Sequence, residues 1–316
     1  VYKNSYDRLN AIAEIYNTKT EFENEQGKLS IPDGTEGFIN AVLNGETFLN
    51  QENPNFKTVN TVKERQDRLT ANNLILGSSL SMNLNSQESI SDENLYQLRV
   101  KVDWVGNLLN GFLTAINVEE NKQGQTLLGG VSPSQYLKSE ADYIKHWSLG
   151  KDQVIAFHAF GGLAIPYGNA INMPFSRSYF SGGSNDNRAW KAYKLGPGSS
   201  NNMNEFNEAN FKLTLNLEYR FPFLNKMNGA FFLDAGNIWN IFDNINDPAY
   251  RFDGLKDLNE IAIGTGLGLR YDFNFFVFRL DTGFKTYNPA LPLEQRWWSE
   301  YNFKNAVFNI GINYPF

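Results

Sequence analysis

A strict alternation of apolar and polar side chains over residues 211–221 limits the possible folds more than any other sequence feature. Apolar residues fill every second position from Phe211 to Phe221, and Lys, Thr, Asn, Glu and Arg fill the positions between them. Successive side chains of a β-strand point to opposite faces, so the segment predicts a strand with one apolar and one polar face. Soluble sheets alternate too, so this strand alone leaves open whether its apolar face meets a core or lipid.

The alternation recurs along the chain and predicts about nine strands, with the charged residues concentrated on one face. The apolar stripes lie at residues 74–84, 96–104, 137–147, 155–165, 211–221, 231–235, 261–269, 276–280 and 308–316. Segments of roughly 9–11 residues suit strands that cross a bilayer at a tilt. Short predicted connections (224–228, 272–275) alternate with long ones (169–210, 240–259), as is typical of transmembrane barrels. The sequence therefore predicts an all-β fold, the C-terminal part of a transmembrane antiparallel β-barrel.

Composition agrees with strands as the membrane-crossing elements. The mean hydropathy is −0.43, and no apolar run approaches the ~18 residues that a spanning helix needs. A low average is expected of a barrel, because lipid-facing and lumen-facing residues cancel within a window. The chain has no cysteine, which fits an oxidising compartment. Its net charge of −6 argues against a nucleic-acid partner.

Residues 1–67 differ from the rest and form a separate predicted region. Apolar residues at helical spacing predict a helix over Tyr6–Tyr16 and a shorter one around Phe38–Leu43, while Asn50–Asn60 is predicted to be a loop. We expect residues 1–67 to be an irregular loop and helical segment, extracellular or lumenal, and residues 68–316 to hold the strands. Val1 opens no basic and apolar leader, so a signal peptide and further domains are expected upstream.

Closure of the barrel requires more than these strands. An open edge in lipid leaves unpaired N–H and C=O groups that cost several kcal/mol each. Either strands upstream of Val1 or another chain would have to pair with the edge, and we favour upstream strands.

Five short segments in fixed order indicate a family. The predicted loop 169–210 contains Phe180-Ser-Gly-Gly183 and then Arg188-Ala-Trp190, and the following strands contain Asn216-Leu-Glu-Tyr-Arg-Phe-Pro222, Phe231-Phe-Leu-Asp-Ala-Gly-Asn-Ile-Trp239 and Phe308-Asn-Ile-Gly311. Together they resemble the BamA/TamA superfamily of outer-membrane assembly and translocation barrels, over about residues 69–316. The Arg-Ala-Trp form, with Ala189 in place of the usual glycine, resembles the TamA-like lipoprotein branch (TamL) more than BamA itself.

The resemblance implies a barrel of about sixteen strands, of which this chain supplies roughly the last nine. It also implies that the long loop folds back into the lumen, where Arg188 meets acidic residues of the inner wall. Strand parity independently places Asp234 and Glu218 inward, and a guanidinium in an enclosed space needs such partners. The alternative is that Arg188 is a solvated loop cation. The candidate latch between loop and lumen comprises Arg188, Asp234, Glu218, Gly182, Gly183 and Trp190.

The last predicted strand carries a second candidate site. An aromatic residue at the end of an alternating stripe resembles the outer-membrane insertion signal, which is recognised by strand pairing. The resemblance also implies a weak lateral seam at this strand, with Gly311 at the position where the family's final strand bends inward; the alternative is that Gly311 only relieves crowding in the lumen. The seam and signal residues are Phe308, Ile310, Gly311, Ile312, Tyr314 and Phe316.

These features predict an outer-membrane assembly or translocation factor that inserts or exports proteins through its seam. The expected partners are membrane lipid or lipopolysaccharide, unfolded outer-membrane client proteins, and a TamB-like periplasmic protein or lipoprotein accessories. A two-partner-type polypeptide secretion pore and a passive diffusion porin stay open as alternatives.

No enzymatic site is expected from the sequence. His146 and His158 are predicted to be lumenal, but no Ser or Asp motif of a hydrolase accompanies them. Metal-ligand spacing is absent, and Asp243, Asp247 and Asp253 fit a solvated loop better than a Ca²⁺ site. We therefore expect no catalytic residue, no metal and no cofactor.

Overall fold

The chain divides into two compact units in a computed structural model. The structure describes every residue except 1–2, 17–19, 89–91, 117, 119, 121–123, 171, 201–206, 243–246 and 274. Among the described residues, one unit contains those up to Ala71 and the other those from Asn72 onward.

The first unit is a bundle of three helices, α1 (Lys3–Tyr16), α2 (Asp33–Leu43) and α3 (Pro54–Thr70). Leu9, Phe38 and Val59 are among the buried residues of its core. The two predicted helices are confirmed, whereas the loop predicted over Asn50–Asn60 is wrong. The Asn53 side chain accepts a hydrogen bond from the Asn55 amide at 2.9 Å, and Pro54 follows it, a favourable start for a helix.

The second unit is dominated by one antiparallel sheet of nine strands, as predicted. The strands are β2 (Gly77–Asn85), β3 (Tyr96–Val105), β5 (Tyr136–Gly150), β6 (Gln153–Pro166), β7 (Phe211–Leu224), β8 (Met227–Trp239), β9 (Ala262–Asp272), β10 (Val277–Tyr287) and β11 (Val307–Ile312). Each pairs with the next along the chain, so β2 and β11 are the edges. A short parallel pair, β1 (Asn73–Leu74) with β4 (Ser132–Pro133), and a helix, α4 (Asn107–Ala115), complete the unit.

The two faces of the sheet are buried in the opposite sense to those of a soluble protein. On β7, Leu215 and Leu217 are 48% and 43% exposed, whereas Asn216 and Glu218 between them are 1% and 0% exposed. The same inversion holds on β8, where Leu233 is exposed and Asp234 is buried. A broad apolar surface of this kind is costly in water and suits contact with lipid.

No helix among the described residues is both long enough and apolar enough to cross a bilayer.

The last strand departs from its predicted length. Pairing with β10 ends at Ile312, and Asn313 adopts a left-handed backbone with φ of 65°. The chain then turns toward the polar face, where the Phe316 ring stacks on His158 with centroids 5.3 Å apart. The apolar outward stripe therefore ends at Ile312, and the prediction that it continues to Phe316 is wrong. The alternation does not predict which way the side chains after residue 312 point, because a residue with positive φ interrupts the extended backbone on which the two-residue period depends.

Candidate functional site on the polar face of the sheet

The long connection between β6 and β7 returns to the polar face through a tight turn at Gly182 and Gly183. Both glycines have positive φ, 90° and 109°, a conformation that costs other residues energy. A Cβ at Gly182 would also collide with the Lys191 carbonyl oxygen. The Gly183 amide donates to the Trp190 carbonyl at 2.8 Å. The two glycines thus bring the chain back on itself, with Arg188 on the returning limb.

Asp186 fixes the tip of this turn to the sheet. Its carboxylate accepts from the Gly182 amide at 2.7 Å and from the Thr214 hydroxyl at 2.9 Å, and lies 3.1 Å from the Lys212 ammonium. Burial alone would raise the pKa of the Asp186 carboxyl, but the nearby Lys212 charge and the hydroxyl hydrogen bonds, including one from Ser181, bring it below its ordinary value. The tip is therefore held by an ionised carboxylate.

Arg188 is buried in a cage of carboxylates. It is 1% exposed, and its Nε and Nη2 each donate to Asp234 at 2.8 Å, a bidentate pair. The Arg188 amide donates to the same carboxylate at 2.9 Å, and Nη1 donates to Glu218. The guanidinium also stacks on the Phe232 ring, 3.6 Å from its centroid. Arg188 is thus not a solvated loop cation, because every face of its head group meets protein.

The cage extends into a network of buried charges. Glu218 also accepts from Arg270 Nη2 at 3.0 Å and from Arg220 Nε at 2.8 Å. Asp281 accepts from Arg270 Nη1 at 2.6 Å. Arg220, Arg270 and Asp281 belong to the charged residues that the alternation concentrates on one face, but they were not predicted to be part of the site. Their positions in the alternation, which place them on the inner face, were the sequence signal that could have identified them. Several carboxylates around one arginine need further cations, and Arg220 and Arg270 supply them.

Glycines on the polar face of the sheet make room for the loop. Ala189 is fully buried, and a Cβ at Gly264 would lie 2.6 Å from the Ala189 Cβ. A Cβ at Gly283 would collide with the Arg188 carbonyl oxygen. Ala189 therefore fits here because Gly264, opposite it, has no side chain.

Trp190 anchors the returning limb beside the latch. It is buried with Ala189, Leu195 and Ala262 in a small apolar cluster. The Lys285 ammonium lies 5.7 Å from the centroid of its ring. The structure thus places all six candidate latch residues in or next to one contact between loop and sheet.

The seam residues divide between the two faces of the sheet. Phe308, Ile310 and Ile312 are exposed on the apolar face, whereas Gly311 lies opposite Arg279 on the polar face. A Cβ at Gly311 would lie 2.6 Å from Arg279 Nη2. Pairing continues through Gly311, so the bend expected there occurs at Asn313, and the glycine makes room for the Arg279 guanidinium.

The histidines form part of the wall. His158 lies on the polar face with Nδ1 2.9 Å from the Asn216 side chain and Nε2 3.0 Å from Asp142. Both ring nitrogens are therefore engaged within the sheet. In the part of the chain that the structure describes, no group of three or more His, Cys, Asp or Glu residues could hold a metal ion; Asp243 lies outside the described residues.

Comparison with known proteins assigns a family. Residues 57–314 match the model of the Omp85 superfamily domain, a family of outer-membrane β-barrels that assemble or secrete proteins. No curated protein matches the chain.

Two solved structures are similar to the chain at low identity. The crystal structure of BamA from Haemophilus ducreyi lacking POTRA domains 1–3 is 14% identical with a TM-score of 0.41, and the match covers 75% of this chain and 53% of that one. CdiB from Acinetobacter baumannii is 14% identical with a TM-score of 0.35, and the match covers 75% of this chain and 42% of that one. The chain thus spans about half the length of the proteins it matches. On the family match over most of its residues, the chain belongs to the Omp85 superfamily.

Proposed function

We propose that this chain forms the closing strands of an outer-membrane barrel that inserts or exports other polypeptides through a seam at β11. The observation that carries the proposal is the Arg188 latch, a buried loop cation fixed to the wall beside an edge strand. A pore for passive diffusion has no need of such a latch. The step involved is strand pairing, and we propose no catalytic residue and no cofactor.

The edge strand supports the proposed mechanism. Among the described residues β11 pairs with β10 alone. If further strands close the barrel against its other side, opening that seam exposes backbone donors and acceptors to an incoming strand. The outward residues Phe308, Ile310 and Ile312 are apolar and exposed, so a client strand added there would find both backbone partners and a lipid-facing stripe.

The finer assignment is to the TamA-like lipoprotein branch rather than to BamA. It is supported by Arg188-Ala-Trp190, in which the alanine occupies a fitted space against Gly264. The partners we propose are lipid or lipopolysaccharide, unfolded outer-membrane clients, and a TamB-like periplasmic protein or lipoprotein accessories. We propose no nucleic-acid partner.

Site-specific cross-linking tests the function. A photo-reactive residue in place of Ile310 on the edge strand is compared with the same residue in place of Leu217, which is equally outward-facing but lies on a strand paired on both sides. An assembly factor should cross-link to several outer-membrane clients at position 310 and to none at 217.

The alternatives give different results. A two-partner-type secretion pore should cross-link to one dedicated substrate, from positions inside the lumen. A porin should cross-link to no client and should conduct ions steadily in planar bilayers. Equal client cross-linking at 310 and 217 would contradict a seam at β11.

A further inference from the structure

The last strand contacts the Arg188 loop directly. Asn309 lies on the polar face of β11, and its Nδ2 donates to the Arg188 carbonyl oxygen at 2.9 Å. Arg188 therefore binds β7 and β8 through its side chain and β11 through its backbone. Gly283, on the neighbouring strand, leaves the space that this carbonyl occupies.

The tail after β11 is held on the polar face at a second point. The Arg220 guanidinium stacks on Tyr314, 4.2 Å from the ring centroid, and its Nη2 donates to the Phe316 carbonyl at 3.1 Å. The ring of Phe316 stacks on His158. The tail thus crosses to β6 and β7, on the far side of the cage from its own strand.

One carboxylate joins the two contacts. Glu218 Oε2 accepts from Arg188, and Glu218 Oε1 accepts from Arg220 at 2.8 Å. Both arginines are almost fully buried, so neither can change partner without leaving a charge uncompensated.

We infer that the loop holds the last strand in place: Asn309 on the Arg188 carbonyl, and the tail on Arg220, couple the position of the loop to the freedom of β11. The inference rests on the proposed function for its purpose, because freeing β11 matters only if that edge receives a client. Asn309 is a positioning residue in this scheme, acting through Arg188.

Hydrogen–deuterium exchange of the full-length protein in lipid nanodiscs tests the coupling. Asn309→Ala removes the bond to the carbonyl, and Gly283→Ala displaces the same carbonyl from the neighbouring strand. Each should raise the exchange rate of amides in 307–312 roughly fivefold, the effect of losing about one hydrogen bond. Exchange at the other edge, residues 77–85, should stay unchanged.

Two controls match these variants. Asn83→Ala changes an exposed asparagine on the opposite edge strand. Gly161→Ala adds a Cβ that meets only the Leu213 side chain at 3.7 Å, an ordinary contact. Neither should alter exchange in 307–312.

The outcomes separate the inference from the proposed function. Unchanged exchange in 307–312 for both test variants overturns the coupling, and so does a uniform rise across the sheet. A local rise together with unaltered client cross-linking at position 310 supports the coupling and argues against the proposed function.

Discussion

Arg188 shows how one side chain can organise a site in which several charges are buried. Its head group meets Asp234 and Glu218, and Glu218 in turn meets Arg220 and Arg270. A buried ion pair contributes little net stability when it is complete, but removing one partner leaves an uncompensated charge. The buried carboxylates are therefore fully paired only when the loop lies against the sheet.

Arg188→Ala should destabilise the folded barrel by about 3–5 kcal/mol, because the buried Asp234 carboxylate loses its cation, whereas Glu218 keeps Arg220 and Arg270. Arg188→Lys should recover only part of this, since an ammonium cannot make the bidentate contact. The electrophoretic mobility of unheated samples and urea unfolding in lipid measure the effect.

Arg99→Ala is the control for this arginine. Arg99 also pairs with a carboxylate, Asp142, at 2.9 Å, but its side chain is 60% exposed, so its loss should cost about 0–1 kcal/mol. Wild-type heat-modifiability of the Arg188→Ala protein would refute the latch.

At the scale of elements, the inverted faces of the strands determine where a charge is tolerated. Leu233 lies in the middle of β8 and Leu224 at the end of β7, and both are exposed on the apolar face. If lipid covers this face, the two positions lie at different depths.

Leu233→Arg should therefore impair insertion into lipid vesicles by about 2–4 kcal/mol, whereas Leu224→Arg should cost about 0–1 kcal/mol near the interface. The midpoint of denaturant-induced unfolding in vesicles measures both. Equal effects at the two positions would show that this face does not contact a bilayer.

A comparison of the predicted and observed strands and helices shows which elements can be predicted from the sequence. The period of two located all nine strands, because one exposed apolar face and one buried polar face impose it at every position. Helix α3 was missed because its polar, Asn-rich start resembles a loop until Asn53 and Pro54 are recognised as a cap. The inward turn at Asn313 was missed because no sequence pattern marks a single left-handed residue.

The site was predicted in part. Parity placed Asp234 and Glu218 on the inner face, and the family resemblance brought Arg188 to them. Asn309 and Arg220 were not assigned to the site, because their roles depend on how the loop and the tail cross the sheet. Such long-range contacts leave no periodic trace in the sequence.

At the scale of the whole molecule, the sheet has two unlike ends. The β5–β6, β7–β8 and β9–β10 connections are short and lie at one end, and the connections after β6, β8 and β10 are long and lie at the other. Strand β2 begins at the end with the long connections. The location of residues 1–67, extracellular or lumenal, stays a prediction.

Labelling of intact cells tests this orientation, since the chain has no native cysteine. Phe48→Cys, at a position 80% exposed in the helical unit, should react with a membrane-impermeant maleimide if the unit is extracellular. Phe275→Cys, 84% exposed at the short β9–β10 connection, should react only after the outer membrane is permeabilised. The reverse labelling pattern would show that the barrel has the opposite orientation in the membrane.

The position of Arg188 between β8 and β11 also constrains the order of folding. Its side chain faces Asp234 on one strand and its carbonyl faces Asn309 on another, so the contact between Asn309 and the loop can form only after the loop has reached the sheet. The loop precedes β7, β8 and β11 in the chain and is synthesised before them. If it packs against β7 and β8 first, the Arg188 carbonyl is already in place when β11 pairs with β10.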